Sequence, residues 1–159
     1  MTQPQDHPDI NKNVHPPILA LMFIILAFLL GWFAPLPFMR LPPVFLIYPG
    51  LALTIIGFLL GVGAFTEFSR AGTTLDPHGS VSQLVTTGVY RITRNPIYLG
   101  FLLLVIGIPL SSGFYWGIIV APFFVTTLNR LVIEREEAYL EIKFNEQYTS
   151  YKSSVRRWL

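Results

Sequence analysis

Long uncharged stretches are the feature of this chain that most restricts its fold. Residues 13–39, 41–66 and 95–129 contain no Asp, Glu, Lys or Arg. Each stretch is longer than the roughly 20 apolar residues that cross the hydrocarbon core of a bilayer. With 52% hydrophobic and 13% charged residues in a length of 159, the chain is too apolar for an ordinary soluble domain. The sequence therefore predicts a single integral membrane domain.

The three stretches divide into four predicted spans. The prolines in APLPFMRLPP end the first span, because proline cannot continue a helix. The third stretch allows one long helix or two short ones, and IPLSSGFYWG in its middle favours a hairpin. A secretory signal is the alternative for the first stretch, but the apolar run is too long and no small-residue cleavage site follows. The predicted all-α fold has a polar tail at 1–16, spans at about 17–33, 44–68, 96–110 and 113–130, a polar loop at 69–95 and C-terminal helices within 131–159.

The third predicted span is short for a full crossing. We expect it to be tilted, to thin the bilayer around it, or to be partly buried in protein. In the second span, Gly57 and Gly61 form a GxxxG pattern that allows another helix to approach closely.

Charge placement predicts how the chain is oriented. With four spans, both termini and the 69–95 loop lie on the same side of the membrane. Of the eleven Lys and Arg residues, only Arg40 then lies on the opposite side. The positive-inside rule therefore places the termini and the loop in the cytoplasm.

The charged C-terminal segment keeps a helical period in its apolar residues. These residues recur every three or four positions, which gives one face of an amphipathic helix or of two short ones. Such a face either lies in the membrane interface or packs on the cytoplasmic ends of the spans. The residues of this face are Leu140, Phe144, Tyr148, Tyr151, Val155 and Trp158.

Polar groups concentrate at the start of the third span and in the EREE run at 134–137. Asn95 and Pro96 suit the N-cap and the first position of a helix. Such a helix start offers free N–H groups to an anion, and EREE offers the opposite charge. A structural explanation is the alternative: loop arginines follow the positive-inside rule, tyrosines form an aromatic belt, and EREE is a solvated turn that pairs with Arg130 or Lys143.

Several kinds of site are not expected. Cysteine is absent, which excludes disulfides, thiolate metal sites and a cysteine nucleophile. His7, His15 and His78 are too dispersed to indicate a metal cluster, so no metal is predicted. The net charge of +2 gives no indication of nucleic-acid binding.

Two blocks in the C-terminal half resemble a known superfamily. LVTTGVYRITRNPIYLG resembles LVTxGxYxxxRHPxYxG, and EEAYLEIKFNEQYTSYKSSVRRW resembles EExxLxxxFGxxYxxYxxxVxRW, at the separation that the superfamily requires. These patterns are those of the isoprenylcysteine carboxyl methyltransferase and phospholipid methyltransferase superfamily of integral membrane enzymes. The resemblance implies methyl transfer from S-adenosylmethionine, with S-adenosylhomocysteine as product, at the cytoplasmic membrane face.

The resemblance also implies an acceptor and site residues. The acceptor would be a lipidic or amphiphilic molecule that enters from the bilayer, with a carboxyl or thiol group favoured. Catalytic roles fall on Arg94, Glu136 and Arg130, and we expect a carboxylate partner for Arg94 in Glu136 or Glu137. The implied cofactor contacts are Gln83, Leu84, Val85, Tyr90, Asn95, Pro96, Ile97, Tyr98, Glu136 and Glu137.

The chain departs from the superfamily pattern at two positions. Asn95 replaces the motif histidine, which removes a titratable group. Asn145 replaces the glycine of FG, and asparagine tolerates the left-handed conformation that such a turn needs. The small size indicates a minimal version in a prokaryotic inner or plasma membrane. An NADPH-dependent reductase similar to sterol reductases and a non-catalytic membrane scaffold are the alternative functions.

Overall fold

The computed structural model describes residues 14–36, 44–72 and 82–159, and helices are the regular structure in these ranges. The predicted all-α fold is confirmed for this part of the chain. Most of the predicted tail, Arg40, and residues 73–81 of the polar loop lie outside the described residues. The elements are α1 (Pro16–Phe33), α2 (Val44–Ala71), a 3₁₀ turn (Gly88–Arg91), α3 (Pro96–Ser111), α4 (Trp116–Leu128), a π turn (Asn129–Ile133), α5 (Glu134–Phe144) and α6 (Glu146–Ser154).

Three helical segments are long and apolar enough to cross a membrane. They are α1, α2 and the continuous helix from Trp116 to Phe144, which comprises α4, the π turn and α5. With 16 residues, α3 is shorter. The third uncharged stretch forms two helices joined at residues 112–115, as the hairpin interpretation predicts. The number of four spans stays a prediction.

The short helix α3 is the centre of the bundle. Helices α1, α2 and α4 all pack against it. Half of its 16 residues are buried, whereas only four of the 28 residues of α2 are. Of the three explanations for its short length, partial burial in protein is the one the packing supports.

Glycines bring α2 and α3 into backbone contact. A Cβ atom on Gly57 would lie 2.8 Å from the carbonyl oxygen of Gly100, and one on Gly107 would lie 2.7 Å from that of Gly50. The pairing of residue 50 with 107 and of 57 with 100 makes the helices antiparallel. A Cβ atom on Gly61 would meet nothing within 4 Å. The close approach therefore occurs at Gly50 and Gly57, which are seven residues apart. Of the predicted GxxxG pair, Gly57 takes part in the contact, and the prediction is wrong for Gly61.

The C-terminal helices pack on the protein. Five of the six residues predicted to form one apolar face contact a core that also includes Ala64, Val85 and Tyr90. The sixth, Trp158, packs against the core of the helix bundle. Between α5 and α6 the chain turns at Asn145, whose φ of 43° is the only positive value at a non-glycine residue in the described ranges. Asn145 therefore has the positive φ that the sequence predicts, but its ψ of −117° lies outside the left-handed helical region.

Candidate functional site

The start of α3 differs from the prediction in how Asn95 is used. Asn95 occupies the N-cap position and Pro96 the first turn, as expected, but the Asn95 side chain does not cap the helix. Its Nδ2 donates instead to the carbonyl oxygen of Arg157 at 3.0 Å. The predicted side-chain cap is wrong: the Asn95 amide donates to a tertiary acceptor, and its oxygen accepts no hydrogen bond from the first turn of α3. The amides of the first turn thus lack a side-chain cap, and the first N–H groups of a helix have no partner within it.

Tyr98 and Glu136 form the contact between α3 and α5. The Tyr98 hydroxyl donates to Oε2 of Glu136 at 2.8 Å. Tyr98 is only 8% exposed, so its ring does not belong to a lipid-facing aromatic belt. Glu136 lies in the first turn of α5 and faces the protein, which argues against the solvated-turn explanation of EREE at this position.

Glu137 is held by two arginines. Nη2 of Arg94 lies 3.3 Å from its Oε1, and Arg157 donates from Nε to Oε1 at 3.0 Å and from Nη2 to Oε2 at 2.6 Å. Glu137 is 6% exposed. Of the two carboxylates expected to pair with Arg94, the structure therefore pairs it with Glu137. Hydrogen bonds to Glu137 raise the pKa of Arg157, so its guanidinium stays charged.

Sequence reasoning missed Arg157 as a site residue. The signal was nevertheless present, because Arg157 is the arginine of the VxRW pattern at the end of the second block. Nη1 of Arg94 also donates to the Tyr148 hydroxyl at 3.4 Å. Burial, and then the charge of Glu137, raise the pKa of Tyr148, which remains a neutral phenol.

The loop before α3 closes one side of the site. Gln83 is exposed, Leu84 half-buried, and Val85 and Tyr90 buried. The Tyr151 hydroxyl donates to the Tyr90 carbonyl oxygen at 2.7 Å, which ties the loop to α6. Burial raises the pKa of Tyr90, and the next cause is the charge of Glu136, so the two groups lie within electrostatic range.

Gly88 gives this loop its shape. Its φ of 57° is a left-handed conformation that favours glycine, and a Cβ atom there would lie 2.6 Å from the Glu67 side chain. Glu67, at the end of α2, accepts a hydrogen bond from Thr87. The loop is thereby fixed to α2 on one side and to α6 on the other.

Arg130 is not brought into this group. It lies exposed on the π turn and makes no hydrogen bond or ion pair with the site residues that the structure describes. Its predicted catalytic role therefore stays a prediction.

Within the described residues, two cavities lie beside the loop and α3. One, of about 750 Å³, lies between the loop and α6 and is lined by Leu84, Arg91 and Tyr151, among others. The other is an apolar groove of about 290 Å³ between α2 and α3, lined by Gly57, Gly61, Gly100 and Ile97 with neighbouring apolar side chains. Ile97 precedes Tyr98, so the apolar groove reaches the start of α3.

Comparisons with known proteins show the family of this chain. Residues 45–147 match the sequence model of a family described as phospholipid methyltransferase. Protein-S-isoprenylcysteine O-methyltransferases A and B of Arabidopsis thaliana are 32% identical over 117 residues and 33% identical over 116 residues. Each alignment covers 67% of this chain and 55% of the relative, so the chain spans about half the length of these two relatives.

A shorter relative matches over its whole length. An uncharacterized protein of Haemophilus influenzae is 41% identical over 66 residues, which is 40% of this chain and 100% of that protein. No solved structure matches.

Proposed function

Because this chain belongs to the phospholipid methyltransferase family, we propose that it transfers a methyl group from S-adenosylmethionine to a lipidic or amphiphilic acceptor at the cytoplasmic face of a prokaryotic membrane. The observation that carries the proposal is the hydrogen bond between Tyr98 and Glu136. It joins the two sequence blocks and leaves a carboxylate beside the start of α3.

The chemistry of these residues fits the cofactor. S-adenosylmethionine carries an ammonium, a carboxylate and ribose hydroxyls. Glu136 accepts the tyrosine hydrogen bond through Oε2, and a carboxylate has further acceptor positions for an ammonium or a hydroxyl. The uncapped start of α3 offers N–H groups and the positive end of the helix dipole to a carboxylate. In this proposal Glu136 binds the amino or ribose end of the cofactor. The amides of Ile97 and Tyr98 bind its carboxylate.

The other predicted residues divide into two roles. Val85 and Tyr90, buried in the loop, exclude water from the site. Arg94 and Glu137 are occupied by each other, by Arg157 and by Tyr148, so we assign them to holding the walls of the site together. This replaces, as a proposal, the contact with the cofactor that the resemblance implied for Glu137.

Bound S-adenosylmethionine supplies an electrophilic methyl group. The protein then has to hold donor and acceptor in line and keep water out. A carboxylate or thiolate acceptor needs no general base, whereas an ammonium acceptor must first lose a proton. Asn95, which cannot titrate, is compatible with a carboxylate or thiolate acceptor. The names of the two Arabidopsis relatives specify O-methyl transfer, which favours a carboxyl group.

The apolar groove between α2 and α3 supports a lipidic acceptor. Its lining includes Phe58, Val62 and Phe65, and all three lie on the exposed side of α2. A hydrocarbon chain in this groove would end at Ile97, next to Tyr98. The reactive group of the acceptor would therefore meet the methyl donor at the start of α3.

Calorimetry of the detergent-purified protein tests the proposal. We expect binding of S-adenosylhomocysteine, which is lost in Glu136→Ala and kept in Glu134→Ala, where an exposed carboxylate of the same helical turn is removed. A second titration uses NADPH. Binding of NADPH alone would replace the proposal with the reductase function, and binding of neither would favour a scaffold. Equal binding by the two glutamate variants would contradict the assignment of Glu136.

A further inference from the structure

The chain after α6 lies against the start of α3. Val155 has extended backbone angles. The carbonyl groups of the next two residues accept hydrogen bonds from residues 93–95. The Arg94 N–H donates to the Arg156 carbonyl oxygen at 3.0 Å. The Thr93 hydroxyl and the Asn95 Nδ2 both donate to the Arg157 carbonyl oxygen, each at 3.0 Å. We call residues 155–159 the C-terminal latch.

The side-chain donors to the latch are buried. Thr93 is 0% exposed and Asn95 is 8% exposed. A buried donor that loses its acceptor costs the full desolvation of that group, so these bonds are expensive to break. Trp158, the next residue of the latch, packs against the core of the helix bundle. The latch is thus anchored by the backbone and by an apolar side chain.

Arg157 also reaches a different element through its side chain. Its guanidinium donates two hydrogen bonds to Glu137, at 3.0 and 2.6 Å. A bidentate arginine–carboxylate pair fixes orientation as well as distance. Its carbonyl oxygen accepts a hydrogen bond from Asn95, the residue before α3. Its guanidinium donates to Glu137, the residue after Glu136. Arg157 therefore spans the two elements that carry Tyr98 and Glu136.

We infer that Arg157 is a positioning residue of the site, and that the C-terminal latch sets the start of α3 against the first turn of α5. The inference rests on the proposed function, because Tyr98 and Glu136 are the groups that we assign to the cofactor. Asn95 serves the latch as an amide donor. Histidine can donate from Nδ1–H, so Asn95→His should keep the contact.

Hydrogen exchange of the ligand-free protein in detergent tests the latch directly. Arg157→Leu removes the bridge, and Arg156→Leu is the matched control, since Arg156 is exposed in the same segment and carries the same charge. We expect the hydrogen-bonded amides of residues 99–102 and of the first turn of α5 to exchange about tenfold faster in Arg157→Leu, the scale of one lost charge-assisted hydrogen bond. Arg156→Leu should exchange as the wild type does. Equal exchange in the two variants would overturn the inference.

Affinity for S-adenosylhomocysteine gives a second readout. We expect its Kd to rise about tenfold in Arg157→Leu and to stay unchanged in Arg156→Leu. Should Arg157→Leu fail to fold, Asn95→Ala tests the carbonyl side of the latch, and Asn95→His should restore both exchange protection and affinity. If Asn95→His behaves as Asn95→Ala does, the inference is wrong. A wild type that binds no S-adenosylhomocysteine would refute the proposed function, whereas the exchange experiment would still decide the latch.

Discussion

Tyr98 and Glu136 are joined by a hydrogen bond of 2.8 Å although 38 residues separate them in the sequence. Each lies in the first turn of its helix, α3 and α5. The start of α3 and the first turn of α5 thereby form a single polar surface beside the apolar bundle. In the proposed function this surface receives the polar end of the methyl donor.

Tyr98→Phe should weaken binding of S-adenosylhomocysteine while leaving the fold intact. The substitution keeps the buried ring and removes only the hydroxyl that orients Glu136. We expect a Kd about tenfold higher by calorimetry, the scale of one hydrogen bond to a charged acceptor.

Tyr115→Phe provides the control for this prediction. The Tyr115 hydroxyl is buried and has no partner among the described residues, and it lies at the opposite end of α3 and α4. Its removal should leave affinity unchanged. A similar loss in both variants would show that the Tyr98 hydroxyl does not act through Glu136.

Glu137→Gln should destabilise the protein strongly. The substitution leaves the buried Arg94 guanidinium without a carboxylate and removes the bidentate partner of Arg157. Breaking a buried ion pair on one side typically costs about 3–5 kcal/mol. Thermal unfolding in detergent should show a large decrease in Tm.

Glu141→Gln is the matched control in the same helix. Glu141 pairs with Lys152, and both side chains are more than a third exposed. Exposed pairs contribute less than about 1 kcal/mol, so Tm should change little. An equal decrease in the two variants would contradict the role of Glu137 in holding α3, α5 and the latch together.

Alanine at Gly57 and at Gly61 should have opposite effects. A Cβ atom at Gly57 meets the Gly100 backbone at 2.8 Å, so the helices must separate. At Gly61 the Cβ atom enters open space, and alanine gains about 1 kcal/mol of helix propensity over glycine. We expect a lower Tm for Gly57→Ala and an unchanged or higher Tm for Gly61→Ala. The reverse order would refute the close α2–α3 contact.

The helices could be predicted from the sequence because their signal is local. An uncharged stretch and the prolines and glycines at its ends are sufficient to place α1, α2 and the α3–α4 hairpin. The apolar period from Leu140 to Val155 likewise predicts the face that packs on the protein. Residue type indicates the positive φ at Asn145, whereas its ψ of −117° lies outside the left-handed region that asparagine tolerates.

The contacts between distant segments could not be predicted in the same way. Asn95 is a good N-cap residue, but whether it caps depends on the Arg157 carbonyl, which arrives from 62 residues away. The same holds for Gly50 and Gly57, whose importance depends on the glycines that α3 places opposite them. The local conformational preference of these residues predicts where they lie in a helix. What they contact is decided by tertiary packing.

The π turn at Asn129–Ile133 accommodates one residue more than the corresponding stretch of α-helix. Deleting one residue within it should therefore convert the turn to α-helix and leave α5 facing the same way relative to α4. Glu136 and Glu137 would then still face Tyr98 and Arg94. Deleting one residue from the α-helical part between Trp116 and Leu128 would instead rotate α5 by about 100° relative to the helix before the deletion, since an α-helix turns that much per residue. The chain between the two sequence blocks can thus be one residue shorter at the π turn and keep the site.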